Sequence, residues 1–250
     1  MLSLIGRYKY FILIAVILMA GFDIFLIFQA KGPEPRSNMN PFSGDTIYIQ
    51  PAGNVESDKL LIISRILEDN FRKGVNILPP ERMKKSYYHK ARVQYDASRI
   101  LSWANEWIPD NAFRYIVILD DDIYSGQYNF IFGQAEMHGK ACVISLARFA
   151  DPARSLKEDE VPLFSKRLVS LLLHELGHTF GLKHCANEQC VMQFANSMAE
   201  LDSQPIHYCT DCLARLRQIG LLDVLTEAGD AVLYLRSTSS AGERNGNTFR

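Results

Sequence analysis

Neither sign of charge dominates this chain of 250 residues. Its 27 lysines and arginines face 28 aspartates and glutamates, for a formal net charge of −1. No block of basic residues is long enough to leave an electrostatic footprint, so no nucleic-acid partner is expected. No internal repeat recurs along the chain, which excludes solenoids and propellers. Cysteine is scarce. There are five, and four of them crowd between Cys185 and Cys212. At this length the chain can hold one large domain or two small ones.

One apolar run stands out, Tyr10 to Ala30, interrupted only by Asp23 and Gln29. As a helix its 21 residues would rise roughly 31 Å, about the thickness of a hydrocarbon core. Arg7 and Lys9 precede it, as in a signal peptide or a signal anchor. Ala30-Lys31-Gly32 has the form of a cleavage site, but Pro33 would follow the cut and hinder it. The reading is an uncleaved, single-pass transmembrane helix over 10–30, with Asp23 a tolerated polar residue. Residues 1–9 are then cytoplasmic and the rest of the chain extracytoplasmic. Residues 31–44, with Pro33, Pro35 and Pro41, read as a linker. A folded domain is expected over 45–222, and 223–250 as a partly disordered tail rich in Ser, Gly and Asn.

The densest chemistry lies at His174-Glu175-Leu176-Gly177-His178-Thr179-Phe180-Gly181-Leu182-Lys183-His184, which reads H-E-x-x-H-x-x-G-x-x-H. Residues four apart share a helix face, so His174 and His178 can ligate one metal ion together. Glu175, one step round the helix, can reach a metal-bound water without ligating the metal. Gly181 falls where the helix should end, because glycine takes left-handed dihedrals without steric cost. The chain can then turn back to offer His184 as a third ligand. Three histidines and an open position describe catalytic zinc. Downstream, Cys185, Cys190, Cys209 and Cys212 have the spacing of a tetrahedral thiolate site; two disulfides are the alternative, since export would favour them. Cys142, in the apolar run Ala141 to Leu146, reads as a small core residue.

This pattern resembles the archaemetzincins, a family of metzincin-type zinc peptidases. The zinc helix is followed by C-x4-C-x-M (Cys185, Cys190, Met192), a spacer and C-x-x-C (Cys209, Cys212). The spacer holds sixteen residues, one fewer than the family's usual spacing. The upstream run Phe130 to Ala135 and the stretch Ser145 to Arg148 also look familiar, so the resemblance covers roughly Asp45 to Leu222. It implies two zinc ions, one catalytic on the histidines and one structural on the cysteines. It implies an α+β metzincin-like fold: an N-terminal twisted mixed β-sheet with the active-site helix, then a small irregular C-terminal subdomain bearing zinc. Met192 becomes the Met-turn residue, an apolar floor beneath the histidines. Some metzincins place a tyrosine two residues after this methionine; here that position is Phe194, and Tyr208 is a substitute oxyanion donor. The resemblance also offers Ala141 to Leu146 as the edge strand beside which an extended peptide lies.

The element pattern agrees with an α+β domain. Strands are expected at Thr46–Gln50, Val75–Leu78, Phe113–Leu119, Phe130–Ala135 and Ala141–Leu146. Helices are expected from Ser57 (N-cap) to Phe71, Tyr95 to Trp107 capped near Asp96, Pro162 to Thr179, and Cys209 to Leu222. Residues 81–92 read as a loop. His89 and His138 lack ligand spacing, His207 is superfluous beside four cysteines, and Asp120-Asp121-Asp122 reads as a solvated loop. The expected chemistry is peptide-bond hydrolysis, with Glu175 activating a zinc-bound water on a peptide or protein substrate. The spacing leaves exo- and endopeptidase action open. The alternative is a membrane-displayed, zinc-stabilised peptide-binding module with little catalysis, for which Glu175 would be needless.

Overall fold

The computed structural model describes residues 16–19, 22–25, 44–149 and 161–221. The chain divides into two units, 1–39 and 40–250. Within the first, β1 (Val16–Met19) pairs antiparallel with β2 (Phe22–Phe25). This departs from the single helix expected over Tyr10–Ala30. Most of that run, with residues 31–43 and 223–250, lies outside the described residues. Where the run is described, its β-branched and aromatic residues (Val16, Ile17, Phe22, Ile24, Phe25) are strand formers, and a uniformly apolar run carries no period to separate helix from strand. Among the described residues, no helix is long and apolar enough to cross a membrane.

The second unit runs β3 (Thr46–Ala52), α1 (Ser57–Phe71), β4 (Gly74–Ile77), β5 (Tyr88–His89), β6 (Gln94–Asp96), α2 (Ala97–Glu106), β7 (Ala112–Leu119), β8 (Ile123–Tyr124), β9 (Gly133–Ala135), β10 (Ala141–Ser145), α3 (Val161–Thr179), α4 (Met198–Ser203) and α5 (Thr210–Gln218). Five strands form a mixed sheet in the order β4-β3-β7-β10-β9, in which β9 alone runs antiparallel to its neighbour. A second, small sheet joins β5, β6 and β8. The protein is therefore α+β, with a predominantly parallel sheet and helices on both faces.

The side-chain alternation of the central strands builds two cores. Ile47, Ile49, Ile116, Ile118 and Ile144 point to the face covered by α1 and α3. Tyr115, Val117 and Val143 point to the face covered by α2, through Ala97, Ile100 and Ala104. Burying both faces is why β7 and β10 read as continuous apolar runs. Asp96 caps α2 as expected, accepting from Ser98 N at 3.0 Å and Arg99 N at 3.4 Å. Ser57 does not cap α1. It is the first helical residue, and Glu56 holds the cap position without a side-chain hydrogen bond. Asp120 pairs with Lys59 at 3.1 Å and Asp122 with Arg148 at 2.7 Å, so the acidic run staples its own loop to neighbouring elements.

Two sequence expectations are corrected here. Ala141–Leu146 is not an edge. β10 is interior, hydrogen-bonded to β7 on one side and β9 on the other, and all five of its residues are buried. The edge strands are β4 and β9, and β9, beside β10, is shorter than the strand expected over Phe130–Ala135. Residues 81–92, expected as loop, contain a 3-10 turn (Lys85–Tyr87) and half of the β5–β6 hairpin.

The tip of that hairpin carries strain. Val93 has φ +56° and is 67% exposed. A β-branched residue in the left-handed region costs roughly 1–2 kcal/mol, and nothing is gained there by burial. Val93→Gly is expected to raise stability by about 1 kcal/mol, less glycine's extra unfolded-state freedom. A denaturation midpoint that falls, or does not move, rejects this account of the hairpin.

Candidate active site and metal centres

α3 presents His174, Glu175 and His178 because its opposite side is anchored. Phe164, Leu168, Leu172 and Leu176 are at most 1% exposed in the core beneath the sheet. The helix ends as the glycine implied. Gly181 takes φ +91°, its N–H donates to His178 O at 2.9 Å, and Leu182 N–H donates to Gly177 O at 2.9 Å. That is a Schellman closure. It returns the chain so that His184 faces the other two rings, with ring centroids 5.3 Å from His174 and 4.8 Å from His178. The ligand atoms of the three histidines lie within 4.8 Å of one another.

The closure also orients a ligand. Leu182 O lies 2.7 Å from His178 Nδ1, and Val191 O lies 2.8 Å from His174 Nδ1. A carbonyl can only accept, so both Nδ1 atoms carry the proton and both Nε2 atoms carry lone pairs. Those two Nε2 atoms face each other at 3.1 Å. Lone pairs at that distance repel unless a cation lies between them. Burial, then the neighbouring His178, lowers the pKa of His174 to about 3, and burial lowers those of His178 and His184, so the rings are in their ligating, neutral form. Nitrogens about 2.1 Å from a tetrahedral zinc would stand about 3.4 Å apart, close to what is seen. The donor set fits zinc.

The cysteines pass an equivalent test. Cys185 Sγ lies 3.8 Å from Cys209 Sγ, and Cys190 Sγ lies 3.7 Å from Cys212 Sγ. Four thiolates about 2.3 Å from one zinc stand about 3.8 Å apart, whereas a disulfide needs about 2.05 Å. All five thiols are free. Cys142 is fully buried in the core, as expected of a structural residue. His89, His138 and His207 join neither ligand group among the described residues.

The two groups share their supports. Cys185 N–H donates to Met192 O at 2.9 Å, and Val191 N–H donates to His207 O at 2.8 Å. The turn at 190–192, closed by Gln193 N–H donating to Cys190 O at 3.1 Å, thus links the cysteines to the carbonyl that holds His174. Met192 is fully buried, and a Cβ on Gly177 would lie 2.4 Å from its Sδ, so its thioether fills the space under the helix turn between the two histidines. Tyr208 is removed from the cleft. It is buried, and its hydroxyl donates to Leu173 O at 2.7 Å, so the substitute oxyanion donor suggested by sequence is committed to holding α3.

Glu175 is 4% exposed, and burial alone lifts its pKa to about 8; a cation held by the adjacent histidines would draw it back down and keep the carboxylate ionised. It opens into a cleft of about 290 Å³, walled by Phe130, Phe132, Leu171, Phe194 and Leu201 and floored by the histidines. Phe194 stacks on His184 with centroids 4.9 Å apart and meets Tyr128 at 6.0 Å. Phe130 and Phe132 lie in a run that resembles the family and Phe194 two residues after Met192, but no spacing in the sequence marks any of the five as a cleft wall. Only their position around α3 assigns them.

The profile of peptidase family M54 matches residues 57–218. The archaemetzincin of Archaeoglobus fulgidus is 33% identical over 171 residues, 68% of this chain and 98% of that protein. That of Methanocaldococcus jannaschii is 33% identical over 175 residues, 70% of this chain and 94% of that protein. Among solved structures, the Archaeoglobus fulgidus archaemetzincin complexed with malonate superposes with a TM-score of 0.59 at 32% identity, covering 68% of this chain and 99% of that one. With the family profile spanning both ligand groups and relatives matched along almost their whole length, the chain belongs to peptidase family M54, the archaemetzincins, and is a zinc metallopeptidase.

Proposed function

We propose that this chain hydrolyses peptide bonds with Glu175 as general base, at a metal held by His174, His178 and His184. The observation that carries the reading is the pair of facing Nε2 lone pairs at 3.1 Å with a buried carboxylate on the next residue, at the floor of an open cleft. Zinc bound there supplies a Lewis acid that acidifies water and polarises a carbonyl. Glu175 takes a proton as water oxygen bonds to the carbonyl carbon, then delivers it to the amine nitrogen as the C–N bond breaks. A carboxylic acid and an amine result, and the acid's proton passes to the amine, so that a carboxylate and an ammonium leave. A binding module would have no use for a buried carboxylate at this place, and the peptidase family tells against it.

Cys185, Cys190, Cys209 and Cys212 would hold a second, structural zinc, with Met192 packing under the histidines. Substrate backbone is read as lying along the outer edge of β9, not along β10, because among the described residues β9 ends the sheet whereas β10 is paired on both sides. The walls Phe132, Leu171 and Leu201 favour an apolar side chain next to the scissile bond.

A peptide library incubated with the purified chain tests this. Cleavage at apolar residues is expected, lost on chelation and restored by zinc. Zinc-loaded protein that leaves every peptide intact rejects the reading.

A further inference from the structure

We infer that Gly133 sets the position of the Glu175 carboxylate and is a positioning residue for the hydrolysis; this rests on Glu175 being the general base. The observation is one of close approach. A Cβ built on Gly133 would lie 2.6 Å from Glu175 Oε1, 2.7 Å from Cδ and 2.8 Å from Cγ. Carbon atoms do not stand that close, so any side chain at 133 takes the space that the carboxylate occupies.

The need for glycine here is steric, not conformational. Gly133 is not among the glycines with positive φ, and its backbone is one that other residues adopt. It faces α3 because of register. β9 pairs with β10 through Gly133↔Ile144 and Ala135↔Cys142, and Ile144 and Cys142 belong to the core shared with α3. Gly133 and Ala135 therefore share the helix-facing side, while Gln134, between them, reaches Ser98. The two backbones cannot easily part. Ser145 N–H donates to Phe132 O at 2.9 Å beside Gly133, and Leu172 and Leu176 flank Glu175 on α3 with no exposure at all. The one soft party is the Glu175 side chain, which would rotate. A shift of about 1 Å in a reacting group can cost on the order of a hundredfold in rate.

Gly133→Ala is the test, in the full chain. Crystal structures of zinc-loaded wild type and variant should show the Glu175 carboxylate displaced by about 1 Å with all three histidines in place. A carboxylate that does not move overturns the inference, whatever the activity. On a peptide that wild type cleaves, kcat should fall about a hundredfold with KM within about twofold and zinc content unchanged. A kcat at the wild-type level also overturns it. Failure of wild type to cleave any peptide would instead strike the assignment of Glu175, and the structural comparison would stand by itself. Glu175→Asp shortens the carboxylate, so its cost should be smaller in the Gly133→Ala background than in wild type; strictly additive losses reject the coupling. If Gly133→Ala melts early, the deficit should vanish when Glu175 is also replaced by Ala. A deficit that persists there means the strand itself rejects the methyl, and the inference fails.

Discussion

Glu175→Gln should reduce kcat by roughly 10²- to 10⁴-fold while leaving both metal sites filled. Glutamine keeps the length and shape of glutamate, so it can occupy the same slot against Gly133 that the structure assigns to the carboxylate. Its neutral amide is too weakly basic to accept a proton at neutral pH. It does not alter the histidines, whose orientation comes from Val191 O and Leu182 O rather than from Glu175. Binding of the peptide should change little, because the apolar walls and the β9 edge are untouched. The loss should therefore appear in kcat and not in KM. The measurement is initial rates together with metal content on the same preparation. Full turnover in this variant would remove Glu175 from the mechanism; loss of metal would make it a structural residue instead.

Cys209→Ser should be as damaging by a different route. Removing one thiolate from a four-sulfur site lowers metal affinity severely, since structural zinc contributes directly to folding. Two ligand groups predict two zinc ions per chain. The variant should lose the one on the cysteines. The consequence reaches the other site through named bonds. Cys185 adjoins His184, Cys190 adjoins Val191, and Val191 O holds His174 Nδ1 at 2.8 Å. Without the thiolate cluster, the stretch 185–192 loses its tie to 209–212. His184 and the carbonyl on His174 then lose their fixed positions, and activity should fall to background. Cys142→Ser is the control. It is buried still more deeply but belongs to neither ligand group, so it should retain two zincs and lose only modest stability. Metal analysis and thermal melts of both variants decide this. Two retained zincs in Cys209→Ser would show that the four cysteines do not form a site.

The candidate ligands were legible in sequence because their geometry is local. A spacing of four on a helix places His174 and His178 on one face whatever the rest of the chain does, and a glycine three residues on closes the helix by bonds within six residues. The cysteine spacing is also short-range in pairs. The strands β7 and β10 announced themselves as largely apolar runs, β3 by its alternating Ile47 and Ile49, and α2 by its aspartate cap.

Which strand lies at the edge was not legible. A continuous apolar run such as Ala141–Ser145 is compatible with any buried position, and its place between β7 and β9 is decided by hydrogen-bonding partners up to 26 residues away in register, as in Ala141↔Tyr115. The same holds for Tyr208, whose hydroxyl is used 35 residues back at Leu173 O, and for Gly133, whose need to be glycine comes from a carboxylate on another element. The sequence by itself determined the two candidate ligand sets, the proposed general base and the family, since each is written in spacings that one helix turn or one tight loop can satisfy. Only the tertiary structure decided which strands lie at the sheet edges, the cleft walls and the carbonyl partners of His174 and His178, because those depend on contacts between segments whose separation along the chain carries no period to read.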